Sequence, residues 1–346
     1  MKLVMTLLVR DEADIVDAQL AFHLQAGVDF VIATDNLSSD GTTEILERYE
    51  EAGVLHLIRE TGDDLRQSEW VTRMAQLAAT EFGADWVLNA DADEFWWTQG
   101  FRLKEVLGAV PARFGVVRGA WRNFVPRPET TGFFAERMTV RLCTPSFHPH
   151  PLSTHSKSAH RAAPDVRVGR GNHEAFGTGL VPLRGWYPIE ILHFPVRSLA
   201  HCMRKYVTQF VALERNAEKG IPGHMAEAYT AYRAGRLEEF YAPLVVDDRQ
   251  LERGLATGDL AIDTRLRDVL RELGPGHAGA RGGDLAVDRS TVPEAASFAS
   301  ESSALQESDL GLALGARIDD LEARIGVMER RLGSRVRAAA GRGRRS

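Results

Sequence analysis

The stretch Asn89-Ala90-Asp91-Ala92-Asp93-Glu94-Phe95-Trp96-Trp97 decides how this chain is read, because an apolar run ends there in three carboxylates and then a cluster of aromatics. Just before it, Ala84-Asp85-Trp86-Val87-Leu88 is a brief apolar run after a helix-like segment, the pattern of a central parallel strand. The acids then stand at that strand's carboxyl end, where open α/β sheets bind ligands. Carboxylates spaced i, i+2 and backed by apolar chain are costly unless a positive partner meets them, and a divalent cation shared with substrate phosphates is such a partner. A bare Asp-x-Asp is otherwise a solvated acidic turn, so the surrounding chain decides between the two.

Upstream, residues 3–9 are a continuous β-prone run followed by Arg10-Asp11-Glu12. Ile15, Ala18, Leu20, Phe22 and Leu24 give a helical face that Gly27 ends. Residues 30–33 predict a second strand, closed by Thr34-Asp35-Asn36-Leu37-Ser38-Ser39-Asp40-Gly41-Thr42, with Asp40 as the N-cap of the next helix. Residues 54–58 read as a third strand, 66–82 as a third helix and 86–89 as a fourth strand. This alternation predicts an α/β fold, a mostly parallel sheet with helices on both faces. It brings residues 10–12, 35–40 and 91–94 to one crevice. No strand is followed by Gly-x-Gly-x-x-Gly or by a P-loop, so phosphates bound there need another counter-charge, which a metal supplies.

Three segments in order, Val9-Arg10-Asp11-Glu12-Ala13, Asp35-Asn36-Leu37-Ser38-Ser39-Asp40-Gly41-Thr42 and Asn89-Ala90-Asp91-Ala92-Asp93-Glu94-Phe95, resemble family 2 glycosyltransferases of the GT-A fold, in the branch whose third motif ends in Asp-x-Asp-Glu-Phe. The likeness covers about the first hundred residues and recurs near His193. It implies a GT-A type, Rossmann-like sheet and a nucleotide-sugar donor bound by Arg10, Glu12, Asp35, Asn36 and Arg73. It also implies Asp91 toward the ribose or the metal, Asp93 on Mn²⁺ or Mg²⁺, and His193 as a further ligand. Asp11 stands where the family has an asparagine, and Asn36 where a second aspartate is frequent. Glu94 has no ligand role in that pattern and is expected to be structural.

Inverting glycosyl transfer needs a base for the acceptor hydroxyl, and Gly171-Asn172-His173-Glu174 offers Glu174 and His173, with Asp165 a rival. The departing diphosphate needs positive charge, for which Lys157, Arg161, Arg197 and Lys205 lie in the right part of the chain, Lys157 and Arg197 being the chosen pair. Trp121, Phe124, Phe133 and Phe134 suit sugar rings but equally suit a core. The seven histidines between 148 and 201 lack zincin spacing, which argues against a zinc cage.

At 346 residues, 44% hydrophobic and 26% charged, with a formal charge of −6, the chain is of ordinary globular composition with no nucleic-acid signature. Cys143 and Cys202 form no metal spacing, pointing to a reducing cytoplasm. Arg10-Asp11-Glu12 interrupts the apolar amino terminus too early for a signal peptide. The expected organisation is a transferase domain over 1–200, its donor half 1–100 and acceptor half 101–200. A helical accessory segment spans 201–273, a flexible linker 274–308, and a coiled-coil helix with basic tail 309–346. Leu314, Ile318, Leu321, Ile325, Met328 and Leu332 make the heptad seam, suited to homo-oligomerisation, and the arginines from Arg330 onward suit an anionic membrane face. The acceptor is a saccharide, lipid-linked or other hydroxyl. Two rival readings are a nucleotidyltransferase, which normally carries a Gly-rich basic loop after its first strand, and a non-catalytic scaffold on the same fold.

Overall fold

The computed structural model describes residues 1–63, 66–98, 102–128, 131–143, 156–184, 187–215 and 225–274. The linker, heptad seam and basic tail lie outside the described residues. In chain order the elements are β1 (Leu3–Val9), α1 (Val16–Gln25), β2 (Phe30–Asn36), α2 (Thr42–Glu51), β3 (Leu55–Glu60), α3 (Gln67–Thr80), β4 (Trp86–Asp91), β5 (Glu94–Thr98), α4 (Leu103–Gly108), β6 (Val116–Asn123), α5 (Phe134–Arg137) and β7 (Val140–Leu142). There follow β8 (Ser156–Arg161), β9 (Arg167–Val168), β10 (Ala175–Phe176), β11 (Ile189–His193), α6 (Leu199–Arg215), α7 (Ala226–Arg233), α8 (Leu237–Tyr241), α9 (Asp248–Thr257), β12 (Leu260–Ile262) and α10 (Arg265–Leu273).

Eight strands form one sheet in the order β3-β2-β1-β4-β8-β6-β11-β5. β1, β2, β3 and β4 pair in parallel, as do β6 and β11, whereas β8 and β5 run the other way. The fold is thus α/β with a mostly parallel sheet, as the alternation of runs predicted. Leu3, Met5 and Leu7 point with Leu20, Phe22, Leu46 and Tyr49 into the core under α1 and α2. Val4, Ile32 and Val87 meet Val71, Met74 and Ala78 of α3 on the other face. Period-two alternation in strands covered on both sides makes each of these runs continuously apolar. Burying one such leucine or valine is worth about 1.5–3 kcal/mol.

The antiparallel strands have a consequence for the site. Six strands bring their carboxyl ends to one edge; β8 and β5, being reversed, bring their amino ends to that same edge. Lys157 and Glu94 therefore join Asp35, Asp91, Asn123 and His193 along it, with His193 registered opposite both Glu94 and Asn123.

Two local expectations are corrected. Gly41, at φ 102°, is the N-cap of α2, and Asp40 stands one residue earlier, its carboxylate accepting the Thr42 N–H at 3.1 Å. A left-handed φ favours glycine at the cap, while the aspartate still satisfies a first-turn donor. Residues 200–273 are not helical throughout: β12 pairs antiparallel with β7, and α10 sends Leu266, Val269 and Leu270 into the same core as α1. α6 packs with α7 and α8 over a smaller cluster around Phe210, Leu213 and Leu237.

Candidate active site

The loops after β1 and β2 are stitched together. Asp11 donates its N–H to Ser38 Oγ at 3.0 Å and accepts from the Ser39 N–H at 2.7 Å, and Glu12 donates its N–H to Thr42 Oγ1 at 2.9 Å. Asp11, Leu37 and Asn172 hold positive φ of 54°, 61° and 62°, the three non-glycine residues among the described residues to do so. All three lie at this edge, and left-handed backbone at such residues persists only where the surroundings enforce it.

At the β2–β3 end, Asn36 donates from Nδ2 to the carbonyls of Gly62 at 2.6 Å and Glu60 at 3.3 Å. Arg10 reaches Asp63 at 2.7 Å. Arg73 pairs with Glu60 at 3.1 Å on the wall of a cleft of about 670 Å³ that Gly62, Asp63 and Trp70 also line. Asp35 is buried and is held by the Ser38 N–H at 3.2 Å and the Thr43 hydroxyl. Of the expected donor residues Arg73 lines this cleft, while Arg10 and Asn36 stand behind it, bonded to its lining residues Asp63 and Gly62, and Asp35 is held within the neighbouring loop.

The acidic stretch divides by direction. Asp91 faces Lys157 and accepts from Asn172 Nδ2 at 3.0 Å. Glu94 is fully buried; it accepts from Trp121 Nε1 at 2.9 Å and from the Asp91 N–H at 3.1 Å, and pairs with Lys157 at 3.0 Å. Burial pushes the Glu94 carboxyl up to about 8 against the pull of Lys157, with Asp91 and Asp93 adding to the rise. Lys157 itself, although burial opposes its charge, is held well above the usual lysine range by Asp91 and Glu94. Asp93 Oδ2 lies 2.7 Å from Lys205 Nζ and 3.8 Å from His193 Nε2. Burial works against its ionisation, yet Lys205 and His193 hold the carboxyl far below the usual range.

His193 bonds through Nδ1 to Asn123 Oδ1 at 2.7 Å and stacks on Trp121 with ring centroids 4.1 Å apart. Since an amide oxygen only accepts, Nδ1 carries a proton, and Nε2, on the Asp93 side, is the nitrogen a cation would take once that position is unprotonated. Asp93, Glu94 and His193 each offer one donor atom, all within 4.8 Å of one another. A cation with bonds of about 2.1 Å holds three donors about 3.0–3.6 Å apart, so the group would close by about 1 Å around an ion, and carboxylate oxygens with one imidazole fit Mn²⁺ or Mg²⁺. The residues present therefore fit the expected metal. Glu94 stands in the donor group where Asp91 was expected.

Arg197 is fully buried and grips Asp14 with Nε and Nη2, both at 2.7 Å, and Glu12 with Nη2. His201 adds a contact to Glu12 at 3.6 Å. Despite its burial, Glu12 is held below the usual carboxylate range by Arg197 and His201. Arg197 thus ties the start of α6 to the β1–α1 loop. Glu174 pairs with the buried Arg118 of β6, while His173 donates from Nδ1 to the Ser156 carbonyl at 2.6 Å and stands edge-on to Trp121 with ring centroids 5.8 Å apart. Asp165 is exposed and accepts from the Thr178 N–H at 2.9 Å.

Sequence reasoning missed Asn172, the donor position of Glu94 and the joining part of Trp121, which touches Glu94, Lys157, His173 and His193. Lys205 was considered but not chosen. The spacing of His201 and Lys205, four residues apart, was the available signal, because it puts both on one face of α6.

No family model matches this chain, and no curated protein matches it. Among solved structures it is similar to S. aureus TarS, at 12% identity, covering 70% of this chain and 44% of that one, with a TM-score of 0.35. It is also similar to S. aureus TarS 1-349 in complex with UDP-GlcNAc, at 11% identity over 70% and 72% of the two chains, TM-score 0.35. Mycobacterium tuberculosis glucosyl-3-phosphoglycerate synthase in complex with Mn²⁺, UDP and glucosyl-3-phosphoglycerate is 18% identical over 35% and 44%, TM-score 0.25. The chain spans under half the length of the first and third of these. The likeness concerns fold alone.

Proposed function

We propose that this protein is a metal-dependent glycosyltransferase that moves a sugar from a nucleotide-sugar donor to a hydroxyl acceptor with inversion. One observation carries the reading: every strand of the sheet delivers a polar or charged end to one edge, where an Asp-x-Asp pair meets a histidine and two lysines. The nucleoside lies in the cleft lined by Arg73, whose wall Arg10 and Asn36 brace through Asp63 and Gly62, with Asp35 supporting the loop beside it. The diphosphate lies over Asp91 and Asp93. A bound Mn²⁺ or Mg²⁺ would be held by Asp93 and His193, with Glu94 or Asp91, and would act as a Lewis acid on the diphosphate.

Lys157 supplies fixed positive charge beside the departing diphosphate, which is effective because its position is set before reaction by Asp91, Glu94 and the Trp121 face 5.4 Å away. Arg197 acts more remotely, fixing Glu12 and Asp14 so that the first loop keeps its shape. For the acceptor proton, His173 has the better orientation: with Nδ1 donating to Ser156, a neutral ring carries its lone pair on Nε2. Glu174 is the second candidate base, steered by Arg118.

The acceptor is a saccharide, a lipid-linked group or another alcohol. Homo-oligomerisation through residues 309–346 and an anionic membrane contact by the basic tail, on the cytoplasmic side, complete the reading. No helix among the described residues is long and apolar enough to cross a membrane.

The test is release of nucleoside diphosphate from a panel of sugar nucleotides with Mn²⁺ present. One member is expected to be turned over, and Asp93→Ala to lower the rate by about 10²–10³-fold or more. Absence of nucleotide binding with either metal would sink the proposal.

A further inference from the structure

The carboxylate oxygen of Asp93 that a divalent cation would use is already in contact with an ammonium. Lys205 Nζ lies 2.7 Å from Asp93 Oδ2, the same atom that stands 3.8 Å from His193 Nε2. A second bond, to the Pro195 carbonyl at 3.1 Å, holds that ammonium in place. The Asp93 side chain is 5% exposed and that of Lys205 27%, so the carboxylate is enclosed while the lysine keeps a route to solvent. On the far side Lys157, 2% exposed, occupies Asp91 and Glu94 and has no such route.

A metal ion and an ammonium on one carboxylate oxygen are like charges a few ångströms apart, and in an enclosed site they repel strongly. Lysine is suited to give way: it is a point charge on a flexible four-carbon stem, in contrast to the two-pronged grip of Arg197 on Asp14 nearby. Resting on the glycosyltransferase reading, we propose that Lys205 is a resident counter-ion that competes with the divalent cation for Asp93. Entry of the metal displaces the ammonium, and the freed side chain turns to the donor's diphosphate. Lys205 is thereby a positioning residue, holding the Asp93 carboxylate in place until metal and donor arrive.

The test uses Mn²⁺ alone, titrated into the full chain without nucleotide, with the free ion read by electron paramagnetic resonance. Lys205→Met is expected to bind Mn²⁺ about tenfold more tightly than the native protein, because a repelling charge is gone. Lys205→Arg, which keeps the charge, is expected to bind no more tightly than native. Adding Asp93→Asn to Lys205→Met is expected to erase the gain, which locates it. With Mn²⁺ saturating, UDP as a probe is expected to bind Lys205→Met more weakly than native. Equal or weaker Mn²⁺ binding by Lys205→Met overturns the proposal, as does a gain that survives Asp93→Asn. Tighter Mn²⁺ binding without turnover of any sugar nucleotide would remove the transferase reading and leave the competition standing. Turnover with unchanged Mn²⁺ affinity would do the reverse.

Discussion

Two clusters of buried charge in this protein are built from different cations. In the first, Arg265 holds Asp263 with Nε at 2.9 Å and Nη2 at 2.7 Å and reaches Glu190 with Nη1 at 2.6 Å. Arg122 bonds the other Glu190 oxygen at 2.6 Å, and Arg141 meets Asp263 at 3.1 Å. The cluster ties α10 and β7 to β6 and β11, with Arg265 also over the Trp97 ring. In the second, at the carboxyl edge, Lys157 and Lys205 face Asp91, Asp93 and Glu94. The difference teaches what each is for. A planar guanidinium closes a carboxylate with two parallel bonds and leaves no vacancy, which suits a fixed joint. An ammonium touches a carboxylate at one point and can be exchanged.

The largest expected effect would break this contrast if it failed. Asp263→Ala leaves Arg265 and Arg141 buried with part of their counter-charge gone and is expected to cost about 3–5 kcal/mol of stability in urea unfolding. The activity-abolishing change at Asp93 should do the opposite: Asp93→Asn removes one carboxylate from a site with surplus charge, and its melting temperature is expected to stay close to native. A large loss of stability at Asp93 would mean that both clusters are joints.

Acid sets the arginine cluster apart from buried groups that have no charged partner. His23 and His160 are buried and neutral, burial pushing each down to about 4. The unfolded chain binds these protons near the ordinary value and the fold does not, so their contribution is present above about 6.5 and is lost as pH falls through 4, up to about 3 kcal/mol for each. Burial raises Glu190, but Arg122 and Arg265 outweigh it and hold it at about 2, so its contribution is lost only from about 4.5 downward. Glu94, held at about 8, is protonated in the fold but not in the unfolded chain over this window and offsets one of the two, so unfolding free energy measured from pH 7 to 3 is expected to fall first with net uptake of about one proton. A profile flat from 7 to 5 would contradict the histidine assignment.

The smallest expected effect sharpens the donor end. Arg73 is 44% exposed and its pair with Glu60 is worth under about 1 kcal/mol to the fold. Arg73→Ala is therefore expected to leave stability unchanged within that margin while raising the donor KM about tenfold, through loss of a charged contact. An unchanged KM would place the nucleoside elsewhere along the edge.

Much of the donor half was legible in the sequence because its signals are local. β1, β2, β3 and β4 are short apolar runs that end in charge, and their order along the chain sufficed to gather Arg10, Asp35 and Asp91 at one edge. β8 was not legible: Ser156–Arg161 is a central strand of the sheet, yet its one aliphatic residue is Ala159. Nothing in its hydropathy distinguishes it from a loop, and its polar side chains are buried because Asn172, Asp91 and Glu94 meet them.

By itself, then, the sequence determined the α/β class, the acidic strand end and the residues that border it, since periodicity and chain order are properties of neighbours in the chain. Only the tertiary structure decided which cation faces which carboxylate. The reversal of β5 and β8 is what sends Glu94 and Lys157 to the edge. The packing of α6 over that edge brings Lys205 to Asp93, 112 residues away in sequence. Such pairings follow from long-range strand register and helix docking, where the energy lies in burial shared among distant segments, and no local pattern encodes that.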